Sequence, residues 1–90
     1  MVITNDKQLQ IFSNGTKTYY IVYQSNNEIT QVPSINEDAN KVLTININEG
    51  NPLDSPKTYI FKLSTTEATN SIDLTINGML RSFDEYVTYD

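Results

Sequence analysis

The sequence predicts an all-β fold: a small antiparallel β-sandwich, or a barrel, of about seven short strands with little helix. Apolar and polar residues alternate along several runs, which is the two-residue period of a half-buried strand. Turn-forming residues separate these runs about every 8–12 positions. Alanine is rare whereas Asn, Ile, Thr and Tyr are plentiful, a composition that disfavours helices and suits strands joined by Asn-rich turns.

Ninety residues provide for one modest hydrophobic core, so we expect a single domain over residues 1–90. The predicted strands follow the alternating runs from one turn signal to the next. In chain order they are 8–12, 17–24, 28–32, 41–47, 57–63, 71–76, 79–83 and 86–89. The polar segments 33–40, 48–56 and 64–70 are predicted to be connections.

Two Asn-Gly pairs, Asn14-Gly15 and Asn77-Gly78, lie between alternating runs. Both central residues of a type I′ turn need a positive φ, which Asn tolerates and Gly adopts without cost. Each pair therefore predicts a tight hairpin. At the second pair, the residues before the turn place Ile72, Leu74 and Ile76 on the inward face, and the outward residues are polar or isolated.

A two-residue turn at the first pair also predicts the register of that hairpin. It places Ser13 opposite Thr16 and, further from the turn, Leu9 opposite Tyr20. Two faces follow from this register. One carries Leu9, Ile11, Tyr20 and Val22, and the other carries Gln10, Phe12, Tyr19, Ile21 and Tyr23.

The second of these faces has two interpretations. Either a loop or the C-terminal segment around Tyr86 and Tyr89 covers it, or it is an exposed surface that binds a protein partner. Tyrosine is enriched at interfaces, because its ring brings contact area at low entropic cost. In the latter interpretation the interaction residues are Phe12, Tyr19, Ile21 and Tyr23.

The net charge of −5 argues against a nucleic-acid partner, because binding a phosphate backbone requires a patch of Lys and Arg. The six basic residues are scattered singly, which argues equally against an anionic membrane surface. No apolar run approaches the roughly 20 residues of a membrane span. The N-terminal residues lack the basic and apolar regions of a signal peptide, so the sequence assigns no compartment.

The chain contains neither histidine nor cysteine, and so lacks the usual general base, the usual nucleophile–base pairs and most transition-metal ligands. The adjacent carboxylates Glu37-Asp38 and Asp84-Glu85 would point to opposite faces of a strand, so their adjacency does not make a catalytic dyad. We interpret them as solvated turn residues. The spacing Asn36-x-Asp38-x-Asn40 begins like a calcium loop but continues with Lys41 rather than Gly. We therefore expect no enzyme activity, cofactor or metal.

Three segments resemble the middle strands of a fibronectin type III module. They are Tyr20-Ile21-Val22-Tyr23, Leu43-Thr44-Ile45 and Pro56-Lys57-Thr58-Tyr59-Ile60-Phe61. The resemblance covers less than half of the chain and implies an immunoglobulin/fibronectin-III-like architecture. It implies no functional residue.

These observations together indicate a non-enzymatic module for binding or assembly, with a protein partner or further copies of itself. Codons for Asn, Ile, Lys and Tyr are AT-rich, which suggests an AT-rich bacterium or its phage as the source. We therefore expect a structural or accessory component of a phage particle or a bacterial surface protein. The alternative is a small acidic inhibitor that blocks a host protein. An inhibitor that mimics phosphate needs its carboxylates on one face, whereas here they fall mostly in separate turns.

Overall fold

The computed structural model describes residues 8–14, 17–65 and 71–89, and these residues form strands and turns without a helix. There are eight strands in this part of the chain. They are β1 (Leu9–Asn14), β2 (Thr18–Asn27), β3 (Ser34–Glu37), β4 (Val42–Ile47), β5 (Pro52–Ser64), β6 (Ser71–Ile76), β7 (Met79–Arg81) and β8 (Glu85–Tyr89).

The strands form two four-stranded sheets, one in the order β5-β2-β1-β8 and the other in the order β3-β4-β6-β7. Apolar side chains from the facing sides of both sheets form one core, and this confirms the predicted β-sandwich. The core residues are Leu9, Ile11, Tyr19, Ile21, Tyr23, Leu43, Ile45, Ile47, Leu63, Leu74 and Ile76.

Each sheet contains one parallel pair, β1 with β8 and β4 with β6, in addition to its antiparallel pairs. The chain reaches these parallel neighbours by crossing between the sheets. Immunoglobulin-type sandwiches consist of two antiparallel sheets. The sandwich is therefore established, while the more specific fibronectin resemblance stays a prediction.

The predicted register of the first hairpin is wrong. Strand β1 pairs with β2 so that Leu9 lies opposite Tyr23 and Asn14 opposite Thr18, which displaces β2 by three residues. The side chains of Leu9 and Ile11 consequently share a face with Tyr19, Ile21 and Tyr23. Burial of each large apolar side chain is worth about 1.5–3 kcal/mol, so gathering these five in one core outweighs the preference for the tightest turn. Residues Gly15 and Thr16 of the predicted turn lie outside the described residues.

The second hairpin has the predicted two-residue turn. Asn77 and Gly78 have φ angles of 53° and 84°, and Ile76 pairs with Met79 across the turn. Residues Leu74 and Ile76 are buried and Ile72 packs against the core, as the alternation predicts. The returning strand is shorter than expected, because β7 ends at Arg81.

Three other strand boundaries differ from the predicted ones. Strand β2 continues to Asn27 instead of turning at residues 25–27, and the segment 28–33 that follows is not a strand. Strand β3 lies in the segment predicted to be a polar connection. Strand β5 starts at Pro52, and its register against β2 shifts between Ser25 and Asn27. Of the predicted connection 64–70, residues 66–70 lie outside the described residues.

The parallel pairing of β1 with β8 begins at Asp84. Its carboxylate accepts hydrogen bonds from the backbone N–H groups of Gln8 (3.1 Å) and Leu9 (2.9 Å), and its own N–H donates to the Leu9 carbonyl (2.8 Å). Strand β8 therefore extends the sheet beside β1. The predicted alternative, in which the C-terminal segment covers the face of the first hairpin, is wrong.

Replacing Asp84 with alanine leaves the N–H group of fully buried Leu9 without its acceptor. We expect Asp84→Ala to lower the free energy of unfolding by about 1–3 kcal/mol, measured by urea denaturation. Asp73→Ala, on an exposed position of β6, is the matched control and should change stability by less than about 0.5 kcal/mol. Equal losses in the two variants would contradict an anchoring role for Asp84.

Candidate functional site

The four predicted interaction residues do not form an exposed face. Phe12, Tyr19, Ile21 and Tyr23 are each 1–3% exposed. Tyr19, Ile21 and Tyr23 belong to the core between the sheets, whereas Phe12 is separated from them by the corrected register. A binding role for these residues stays a prediction, and the surfaces available to a partner lie elsewhere.

A polar cluster closes one end of the sandwich and joins the two sheets. Glu49, which follows β4, accepts hydrogen bonds from the hydroxyl groups of Tyr23 (3.1 Å) and Ser25 on β2. Its backbone N–H donates to the side-chain oxygen of Asn77 at the β6–β7 turn (2.8 Å). Ser25, which is fully buried, also accepts a bond from the Asn27 N–H group (3.0 Å).

This cluster has a structural role, because its hydrogen bonds join the two sheets. Burial raises the pKa of Tyr23, the negative charge of Glu49 raises it further, and the hydrogen bond to Glu49 adds to both effects. The positive charge of Arg81 and the hydrogen bond with Ser25 lower this pKa and offset only part of the increase. The phenol therefore stays protonated at neutral pH and donates a hydrogen bond to the carboxylate of Glu49.

The raised pKa of Tyr23 has a consequence for stability at high pH. The unfolded chain loses this proton near the ordinary tyrosine pKa of about 10, before the folded protein does. The free energy of unfolding should therefore fall as the pH rises from 10 through the raised pKa. In Tyr23→Phe the neutral-pH stability should drop by about 1.5 kcal/mol, while the loss above pH 10 becomes smaller.

Denaturation at a series of pH values between 7 and about 11.5 measures both effects. The control is Tyr86→Phe, at a ring that is about half exposed at the edge of the sheet, and it should keep the wild-type stability at neutral pH. If Tyr23→Phe lost stability above pH 10 as steeply as the wild type, the titrating group would be a different one.

The carboxylate pairs noted in the sequence take part in local structure. The Asp38 carboxylate accepts hydrogen bonds from the N–H groups of Asn40 (2.8 Å) and Val42 (3.0 Å) in the β3–β4 turn. Glu37 lies 3.8 Å from the ammonium group of Lys41, whose φ of 62° closes this turn. Among the described residues there is no group of three or more carboxylates that could hold a metal ion. No helix in this part of the chain is long and apolar enough to span a membrane.

An opening of about 250 Å³ with a mainly apolar lining lies on one flank of the sandwich. It lies between the edge strands β5 and β3, and the segment that precedes β3 closes one side. We call this opening the apolar slot. Its lining residues are Ile21, Val32, Pro33, Ile35, Ile45, Ile60, Phe61, Lys62 and Leu63.

Apolar side chains at the mouth of the apolar slot are exposed to solvent. Val32 is 89% exposed, Ile60 is 51% exposed and Ile35 is 46% exposed. Beside them, the rings of Tyr59 and Phe61 stack in parallel with centroids 6.3 Å apart. The Tyr59 hydroxyl accepts a hydrogen bond from the Ile29 N–H group (3.0 Å), which holds the segment before β3 against β5.

Strand β5 also presents backbone groups along this flank. The Thr65 N–H donates to the Lys17 carbonyl (2.8 Å), and hydrogen bonds in an antiparallel pair recur at every second residue. The odd-numbered residues from 57 to 65 therefore bond to β2. The backbone N–H and C=O groups of Thr58, Ile60 and Lys62 point away from β2, where no described strand pairs with them. We call these outward groups the β5 edge.

The opposite flank has a second group of exposed apolar residues. Met79 and Leu80 on β7 are 72% and 70% exposed, and Tyr86 on β8 is 54% exposed. The edge strands here are short, at three and five residues, compared with the 13 residues of β5. This flank thus offers fewer backbone groups in line with its apolar residues.

Neither the apolar slot nor the β5 edge had a clear signal in the amino-acid sequence. Alternation of Tyr59, Phe61 and Leu63 with Thr58, Ile60 and Lys62 showed two faces of a strand, and Ile60 on the polar side was the one irregularity. That irregularity is the exposed isoleucine at the centre of the edge. Which strand would lie at the edge of a sheet depends on pairing between distant segments.

Comparison with protein-family models, with curated proteins and with solved structures finds no match for this chain.

Proposed function

We propose that the chain is a non-enzymatic binding or assembly module that takes up an extended strand of a protein partner along the β5 edge. The observation that carries this proposal is the coincidence of two features on one flank. Outward backbone groups at Thr58, Ile60 and Lys62 run beside an apolar slot whose mouth residues are exposed.

Strand addition at a sheet edge uses both features. Main-chain hydrogen bonds supply affinity, and pockets that accept alternate side chains supply specificity. A strand added to β5 would continue the sheet, and its inward side chains would lie over the open end of the apolar slot beside Phe61. It would also remove Ile60 from water, which is a favourable contribution of apolar burial.

Two lysines near the ends of the β5 edge determine the charge of a suitable test peptide. Lys57 lies on the inner side of β5, with its ammonium group 5.1 Å from the Tyr59 ring centroid, and Lys62 lies 6.0 Å from the Tyr20 ring centroid on the outer side. The two cations thus stand on opposite faces near the two ends of the β5 edge. A glutamate at each end of an added strand would find a positive charge nearby.

The source suggested by the sequence, a phage particle or a bacterial surface, belongs to the same proposal. Particle and surface components assemble through repeated protein contacts, and an open sheet edge suits such a contact. The acidic-inhibitor alternative has less support. The carboxylates of Asp38, Glu49 and Asp84 accept hydrogen bonds within the molecule, at separate places in the fold.

A synthetic peptide tests strand addition directly. The probe is a capped eight-residue peptide in which valine alternates with threonine and a glutamate stands at each end. We expect it to slow hydrogen exchange at the amides of Thr58, Ile60 and Lys62 and to leave the β8 amides unchanged, as measured by NMR on dilute protein at about 50 μM or below. Protection spread evenly over the molecule, or confined to β8, would contradict the proposal.

The matched variants are Ile60→Pro and Leu80→Lys. Proline is tolerated on an edge strand where its missing N–H faces away from the sheet, so Ile60→Pro should fold and lose peptide binding at least tenfold. Leu80→Lys, on the opposite flank, should bind the peptide as the wild type does. Retained binding by Ile60→Pro with unchanged circular dichroism would exclude the β5 edge as the binding site.

A further inference from the structure

We infer that the strand taken up at the β5 edge is the β5 strand of a second copy of this chain, in a closed two-fold dimer centred on Ile60. The inference rests on the proposed function and adds the identity of the partner. Its basis is that the outward backbone groups of the β5 edge can pair with those of a second copy, in a register that places no lysine opposite another lysine.

The outward backbone groups of β5 can form hydrogen bonds with those of a second copy. An antiparallel pair of β5 strands centred on Ile60 places the two Ile60 residues opposite each other and Thr58 opposite Lys62 of the second copy. These are the residues whose N–H and C=O groups point outward. Every outward group between 58 and 62 then has a partner.

The positions of the lysines on β5 also favour this pairing. In the pairing centred on Ile60, Lys62 faces Thr58 and Lys57 faces Leu63, so no lysine lies opposite another lysine. A pairing centred on Lys62 would place two ammonium groups side by side, which is destabilising. A pairing centred on Thr58 would bring Pro56, which has no N–H, opposite Ile60. The edge thus favours the pairing at Ile60 over these two alternatives.

The apolar surface on this flank also fits the pair. The two-fold axis of such a pair is perpendicular to the sheet, so both inner faces lie on the same side and the two apolar slots meet along the junction. Tyr59 of each copy then lies opposite Phe61 of the other, an aromatic cross-strand pair of the kind that stabilises sheets. The exposed side chains of Val32, Ile35 and Ile60 lie on the flank that the second copy covers.

The oligomeric state tests this inference. Light scattering with size exclusion, at protein concentrations from about 10 μM to 1 mM, should show twice the mass of the chain at the upper end. Ile60→Pro and Ile60→Lys should each be monomeric with a wild-type circular dichroism spectrum, because they remove one edge N–H or add a like charge at the two-fold axis. Leu80→Lys should remain dimeric.

Cysteine cross-linking tests the register, since the natural chain contains no cysteine. Opposed residues of a hydrogen-bonded antiparallel pair have Cα atoms about 5.5 Å apart, within the range of a disulfide. Ile60→Cys should therefore form a disulfide-linked dimer under mild oxidation. The two Thr58 residues would be about 14 Å apart in this register, so Thr58→Cys should not cross-link efficiently.

The outcomes separate this inference from the proposed function. A wild-type monomer at 1 mM that still binds the valine–threonine peptide would overturn the second copy as partner and leave strand addition intact. A monomer that binds no peptide would overturn both. A dimer abolished by Leu80→Lys but not by Ile60→Pro would place the contact on the opposite flank and overturn the inference. Efficient cross-linking of Thr58→Cys, with none for Ile60→Cys, would overturn the register.

Discussion

The register of β1 against β2 is the constraint on which the rest of the first sheet depends. Leu9 lies opposite Tyr23, and because strand side chains alternate with a period of two, this one pairing assigns every residue of both strands to a face. It also fixes which β2 residues bond to β1 and which bond to β5. The inward rings of Tyr59 and Phe61, and the outward backbone of Ile60, follow from that choice.

The same pairing explains why the chain has a buried polar cluster. With Tyr23 and Ser25 on the inward face, two hydroxyl groups enter the end of the core and need hydrogen-bond partners. Glu49 supplies the acceptor from the opposite sheet, and the side-chain oxygen of Asn77, in the β6–β7 turn, accepts a hydrogen bond from the Glu49 N–H group. Tyr23, which one interpretation of the sequence placed on an exposed surface, therefore joins the two sheets through its hydrogen bond to Glu49.

Sequence reasoning predicted the strands that have a single apolar face. In β4 from Leu43 onward, and in β6, the apolar residues fall at alternate positions, and Asn77-Gly78 favours one hairpin geometry. In β2 both faces are apolar, so alternation could not choose the register, and the hydrophobic core decided it. The parallel pairs and the edge position of β5 arise between distant segments, which is why neither they nor the apolar slot had a local signal.

An exposed strand of 13 residues is a hazard for open-ended aggregation, and β5 carries the features that limit it. Pro52 and Pro56 interrupt hydrogen bonding along its first half, so only the segment from Lys57 onward is a regular edge. In that segment the lysines stand on opposite faces near opposite ends. Stacking of identical strands in parallel register would align each lysine with its copy, whereas an antiparallel pair keeps them apart. This pattern disfavours indefinite parallel stacking and is compatible with the single antiparallel neighbour that we propose.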